Sequence, residues 1–219
     1  MGGVFGGGKK TVIDNGSIGG FQVNQSAYGI VVPVILGTSR QAGNIIDYFG
    51  FSAIPHETTQ QTGKGGGSST TTIDYTYRAA VLLALCEGQI AGVGKVWIDT
   101  DTVTTLAGAG LTLFPGAVGQ APWSYSVSVQ PTKALPYSGL AYVAGYIDLN
   151  SQGGVQQYNF EVKGALLTTG DGIDVNPDDA IKYIVADLGL SIANIDAGSS
   201  ARFSDFCMAS DMLVTIPLV

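Results

Sequence analysis

The stretch "TIDYTYRAAVLLALCEG" at 72–88 constrains the fold more than any other. Ile73, Tyr75 and Tyr77 alternate with Asp74, Thr76 and Arg78, the period-two pattern of a half-buried strand. "AAVLLALCEG" then follows directly. Its residue types would suit a helix, but the chain enters it from a strand with no capping residue, so the pattern predicts a buried strand.

The flanking segments read the same way. "YGIVVPVILGTS" (28–39) is β-branched, and Pro33 removes one ladder donor, which places it at an edge or a bulge. "GNIIDYFGFSAIPHE" (43–57) is the next extended segment, and the turn-forming residues between Gly37 and Gly43 predict a hairpin joining the two. "GQIAGVGKVWIDTDTV" (88–103) reads as a strand pair or bent strand whose glycines mark bulges or close packing. Residues 104–136 offer short strands at best. "GLAYVAGYIDL" (139–149) and "VQQYNFEVKGAL" (155–166) are strands joined by the turn "NSQGG". Residues 1–26 form a Gly-rich loose arm, with Val12, Ile13, Ile18 and Phe21 as its only anchors.

The C-terminal part changes character. In "NPDDAIKYIVADLGL" (176–190), Asn176 is an N-cap, Pro177 occupies the first helical position, and Asp178 and Asp179 sit at the positive end of the dipole. Ile181, Ile184, Val185 and Leu188 form one apolar face, and Gly189 supplies the C-terminal stop. A second helix is predicted from about Ser200 to Asp211, with Phe203, Phe206 and Cys207 inward. The closing "LVTIPLV" reads as a strand, and such a tail suggests that the natural polypeptide or its partner continues.

Composition narrows the function classes. Only 12% of the 219 residues are charged, 32 are Gly, and the mean hydropathy is +0.27. Such a chain is not disordered, and much of its surface suits coverage by neighbours. The net charge of −7, with ten basic residues spread along the chain, argues against binding a phosphate backbone. Cys86 and Cys207 stand far apart without ligand-spaced partners, which predicts two buried, reduced thiols. The N-terminus lacks the apolar region of a signal peptide, and no apolar run is long enough to span a bilayer.

"QQTGKGGGSSTTT" (60–72) holds the raw material of a phosphate cradle. A P-loop would need Gly at position 58, where Thr58 stands, and Ser or Thr after Lys64, where Gly65 stands. A strand-former run follows in place of a helix, so no helix N-terminus faces an anion. The dinucleotide fingerprint fails at Ser68. The stretch reads as a flexible hairpin tip, and Gly63, Lys64, Gly65, Gly66 and Gly67 form a candidate subunit-contact loop.

His56, the single histidine, has no nucleophile or carboxylate partner in a catalytic arrangement and reads as structural. "DTDT" (99–102) and "GDGIDVNPDD" (170–179) do not fit a calcium loop. Asp99 and Asp101 look like a turn. Tyr125, Tyr137, Tyr142, Tyr146 and Tyr158 would suit a carbohydrate-stacking surface, but tyrosines scattered in strands are more often core or interface. No cofactor, metal or catalytic set is predicted.

Several segments occur in a telling order: "YGIVVPVILGTSRQAGNIIDYFGF", "GKGGG", "DYTYRAAVLLALCEGQIAGVGKVWID", "FPGAVGQAPW", "YSGLAYVAGYIDL", "NFEVKG" and "DVNPDDAIKYIVAD". Together they resemble the N-terminal region of phage tail tip attachment proteins, the host specificity protein J-like family of baseplate or tail hub proteins. The resemblance runs from about residue 28 to about 207, and "ALCEGQIAGVGKVWID" is its most specific part. It implies a non-enzymatic virion protein: a homotrimeric hub that continues the tail tube. It also implies contacts with the distal tail or tube protein, the tape measure protein and tail fibres or downstream hub domains. Family members are usually several times longer, so the resemblance implies that this sequence is a fragment, a portion or a split-gene version.

The expected fold is therefore mainly β, α+β overall. It comprises a flexible arm (1–26), a tube-like antiparallel β-barrel hub domain (27–103) with an extended loop at 58–72, and a second β-rich domain (104–219) ending in two helices. The negative balance suits a conduit wall along which DNA slides unheld, with Asp74, Glu87 and Asp99 as candidate lumen carboxylates. A rival expectation is a tail-associated adhesin or carbohydrate-binding module.

Overall fold

The computed structural model describes residues 9–22, 31–62, 68–165 and 170–218. Eleven strands and three helices are described: β1 (Lys10–Asp14), β2 (Val34–Leu36), β3 (Thr38–Ala42), β4 (Asn44–Thr62), β5 (Ser68–Glu87), β6 (Gly92–Ile98), β7 (Asp101–Val103), β8 (Thr112–Pro115), α1 (Ser124–Val129), β9 (Leu140–Asp148), β10 (Tyr158–Lys163), α2 (Pro177–Asp187), α3 (Ala197–Ala209) and β11 (Ile216–Leu218). One sheet has the order β11-β2-β5-β9-β8, with β1 and β4 also paired to β5; the other is β3-β10-β6-β7. The fold is mainly β with helices near the C-terminus. Closure into a barrel is not among the described pairings.

The chain divides into two compact, interleaved units. One takes residues 1–24, 48–80 and 146–156, and the other 25–47, 81–145 and 157–219. β5 contributes to both. Its first half alternates as the sequence predicts, with Tyr77 buried and Asp74 and Thr76 exposed. Ala79–Cys86 is buried at every position, as a strand covered on both faces must be.

In the first unit, β1 lies parallel to β5, from Lys10 opposite Ser69 to Asp14 opposite Ile73. Within the expected arm the anchors divide. Val12 and Ile13 are exposed, while Phe21 stacks on Tyr48 at 4.2 Å and the Ile18 N–H donates to the Tyr77 hydroxyl at 3.0 Å. β4 pairs with β5, and the side-chain contacts Thr59–Thr71 (2.9 Å) and His56–Thr76 (2.8 Å) fall at decreasing positions of β4 and increasing positions of β5, the direction of an antiparallel hairpin.

In the second unit, glycines carry the chain between sheets. Gly37 (φ +82°) separates β2, in the larger sheet, from β3, in the smaller one. Gly43 then returns the chain to the larger sheet at β4. A Cβ on Gly43 would stand 2.9 Å from a Phe160 ring carbon and 3.2 Å from Leu83 Cβ, so only glycine fits where the two sheets meet. The expected hairpin between 28–39 and 43–57 is therefore corrected. β3 occupies the predicted loop and pairs antiparallel with β10, while β2 pairs with β5 and β11. Pro33 lies just ahead of β2, where its carbonyl accepts the Glu87 N–H at 2.9 Å. β6 and β7 form the predicted strand pair, turning at Asp99 (φ +51°).

Tail residues Ile216–Leu218 pair antiparallel with β2, which accounts for their apolar character. Beside them Leu36, Val175 and Ala180 form a buried cluster with Tyr183, Val214 and Ile216 packed against it.

Candidate interaction surfaces

The C-terminal helices share a polar network. Asn176 is fully buried; its side-chain oxygen caps α2 by accepting the Asp178 N–H at 3.0 Å. Its amide donates to the Ser204 carbonyl and hydroxyl, both at 3.1 Å, and so ties α2 to α3. Asp178, also buried, accepts from Ser200 Oγ, which lies 2.9 and 2.8 Å from its two oxygens, and from Lys182 Nζ at 2.6 Å. The hydrogen bond to Asp178 raises the pKa of Lys182. At the other end of α2, Gly189 (φ +71°) donates to Ala186 and Leu190 to Val185, a Schellman closure. Both predicted caps are in place.

The apolar faces are only partly covered. Ile181 and Leu188 are 47% and 68% exposed, and Phe203 and Phe206 are 41% and 58% exposed. Cys207 is buried as expected. α2 meets the sheet through Ala180 and Tyr183, and meets α3 through Asn176 and Asp178, so Ile181 and Leu188 are left outward while Ile184 and Val185 are half-buried. Between α2, the 3₁₀ turn Ile192–Asn194 and α3 lies a groove of about 510 Å³. Its lining includes Asp178, Asp179, Lys182 and Asp205 together with Ile192 and Ile195.

The candidate lumen carboxylates are all exposed. Asp74 accepts from Asn15 Nδ2 at 2.6 Å. Glu87 ends β5. Asp99 holds the β6–β7 turn by accepting the Gln157 N–H at 2.8 Å. The candidate contact loop, Gly63, Lys64, Gly65, Gly66 and Gly67, lies outside the described residues. The flanking part of β4, 55–61, is exposed at every position.

His56 meets Thr76 across the β4–β5 pair, a structural contact. Asp171 accepts the Ile173 and Asp174 N–H groups at 2.8 and 2.7 Å, and its pKa is lowered chiefly by the bond from Asp174. The second acidic stretch thus begins as a turn. Among the described residues no group of three or more His, Cys, Asp or Glu side chains is placed to hold a metal. Of the five tyrosines, Tyr142 and Tyr158 are buried and Tyr125 is exposed, so they do not share one stacking surface. Tyr142 stacks on Phe114 at 4.4 Å, and burial pushes its phenol up to about 12.

Cys86 and Cys207 are free and buried, as predicted. Burial pushes the Cys86 thiol up to about 12, so at pH 8 only about one molecule in 10⁴ carries the thiolate. Native protein mixed with a thiol-reactive dye at pH 8 is expected to label Cys86 at least about a hundredfold more slowly than guanidinium-unfolded protein. Equal rates would mean that β5 opens readily.

No protein-family model matches the chain. No curated protein matches it either. Among solved structures, it is similar to a chain from the virion of a native gene transfer agent (GTA) particle, with a TM-score of 0.53 and 20% sequence identity. The match covers 80% of this chain and 45% of that one, so this chain spans less than half of its neighbour's length. At that identity the likeness is one of fold.

Proposed function

We propose that this chain is a structural, non-enzymatic subunit of a phage-like virion, placed at the tail tip or baseplate hub. The observation that carries the reading is the fold shared with a chain of a gene transfer agent virion. The ordered tail-hub motifs in the sequence support the finer placement. The surface chemistry agrees with an assembly part: the helices present large apolar side chains outward, and 55–61 of β4 is exposed throughout. Such surfaces find their free energy in contact with neighbours.

In this reading three copies surround a channel that continues the tail tube. The partners are the distal tail or tube protein, the tape measure protein and tail fibres or downstream hub domains. A net charge of −7 lets DNA pass without being held, because a phosphate backbone gains nothing from a carboxylate-rich wall. Asp74, Glu87 and Asp99 are the carboxylates proposed for that wall.

Immunogold electron microscopy with antibody against this chain tests the proposal. Gold at one tail end of intact particles is the expected result. Gold on lateral fibres would assign the chain to adhesion. Unlabelled particles, with the epitope accessible after opening, would remove it from the virion.

A further inference from the structure

The charge of the chain is not evenly spread. Residues 170–218 hold eight aspartates against Lys182 and Arg202, a net charge of −6 out of −7 for the whole sequence. The same segment exposes Leu188, Leu190, Phe203 and Phe206, each at 41% or more. Acidic and apolar groups converge in the groove between α2 and α3, where Asp179 and Asp205 lie beside Ile192 and Ile195. Lys182 stands 4.0 Å from one Asp179 oxygen, beyond hydrogen-bond distance.

We propose that the groove between α2 and α3 is a docking site for a segment of another protein that carries Lys or Arg beside aliphatic side chains. The aliphatic groups cover Ile192 and Ile195, and the cations meet Asp179 and Asp205. Charge complementarity selects this occupant. A second copy docking through the same groove would set Asp179 and Asp205 against the same two carboxylates, and like charges facing one another across an interface oppose it. Nucleic acid and anionic lipid are repelled for the same reason.

Two synthetic amphipathic helical peptides of equal length, one of Leu and Lys and the other of Leu and Glu, serve as probes. They are titrated into the ¹⁵N-labelled chain at about 150 mM salt, where only close charge pairs escape screening. The Leu–Lys peptide is expected to bind, with amide shifts concentrated on 178–182 and 191–205, and the Leu–Glu peptide is expected not to. The double variant Asp179→Asn/Asp205→Asn should weaken binding about tenfold, the scale of two close charge pairs. Asp187→Asn/Asp211→Asn removes the same charge outside the groove and should change affinity less than about twofold.

Equal weakening in both variants would reduce the effect to bulk attraction and overturn the proposal. So would shifts spread over the sheets, equal binding of both peptides, or a dimer in sedimentation that the groove variant abolishes. Particle labelling is read independently, so failure here leaves the virion reading standing, and the reverse also holds.

Discussion

Alanine in place of Phe160 is expected to lower the unfolding free energy by about 3–5 kcal/mol. The ring is fully buried on β10, which lies between β3 and β6 in the smaller sheet. It packs at Gly43, where β3 passes into β4, and Leu83 of β5 stands at the same point. Truncation removes apolar area from the meeting point of the two sheets and leaves a void that paired strands are poorly able to close. A loss of this size would be a large part of a typical domain's stability. Gly43→Ala tests the geometry from the other side. In the native chain its Cβ would enter 2.9 Å from the Phe160 ring, so the single variant is expected to destabilise. Once the Phe160 ring is truncated the same Cβ gains room, so the double variant should lose less than the two single losses combined. Guanidinium unfolding followed by Trp97 and Trp123 fluorescence measures all three. A Phe160→Ala loss below about 1.5 kcal/mol, or strict additivity, would mean that the ring does not hold the sheets together.

Elements with a strong local signal were legible in the sequence. β5 follows from alternation giving way to a continuous apolar run, and α2 from Asn176, Pro177 and Gly189, whose effects act within one turn of the chain. The pairing of strands was less legible because it depends on residues distant in sequence. Gly37 and Gly43 read locally as turn residues, yet their role is to pass the chain between sheets, and the partner that demands glycine at position 43 is Phe160. α1 was missed because "SYSVSV" has the alternation and residue types of a strand and begins at Trp123 without a side-chain cap. Phe203 and Phe206 of α3 were misread as inward for a different reason. Apolar spacing identifies a face but not what covers it, and here the polar residues Asn176, Asp178, Ser200 and Ser204 make the inter-helix contact. The acidic wall of the groove was visible as "NPDD", where the helix dipole alone explained it. Its third carboxylate, Asp205, carried no local signal.

Asn176→Ala is expected to cost about 2–4 kcal/mol, well above the ~1 kcal/mol of a lost N-cap alone. The difference lies in what the other half of the amide does. The side-chain oxygen caps α2 through the Asp178 N–H, while the nitrogen donates to both oxygens of Ser204 on α3. With the residue fully buried, removal strands polar groups out of reach of bulk water, adding about 1–3 kcal/mol to the cap term. Asn176→Ser separates the two effects. Serine keeps a capping oxygen but lacks the donor reach to Ser204, so its loss should fall between zero and that of alanine. Hydrogen exchange locates the damage. Amides of α3 from Ser204 to Met208 should exchange faster in the alanine variant, while those of β10 keep their protection, because the tie that is cut joins helix to helix and leaves the strand ladder intact. A loss near 1 kcal/mol with α3 unchanged would reduce Asn176 to an ordinary cap. In that case the packing of α3 against α2 would have to rest on the Asp178–Ser200 contact.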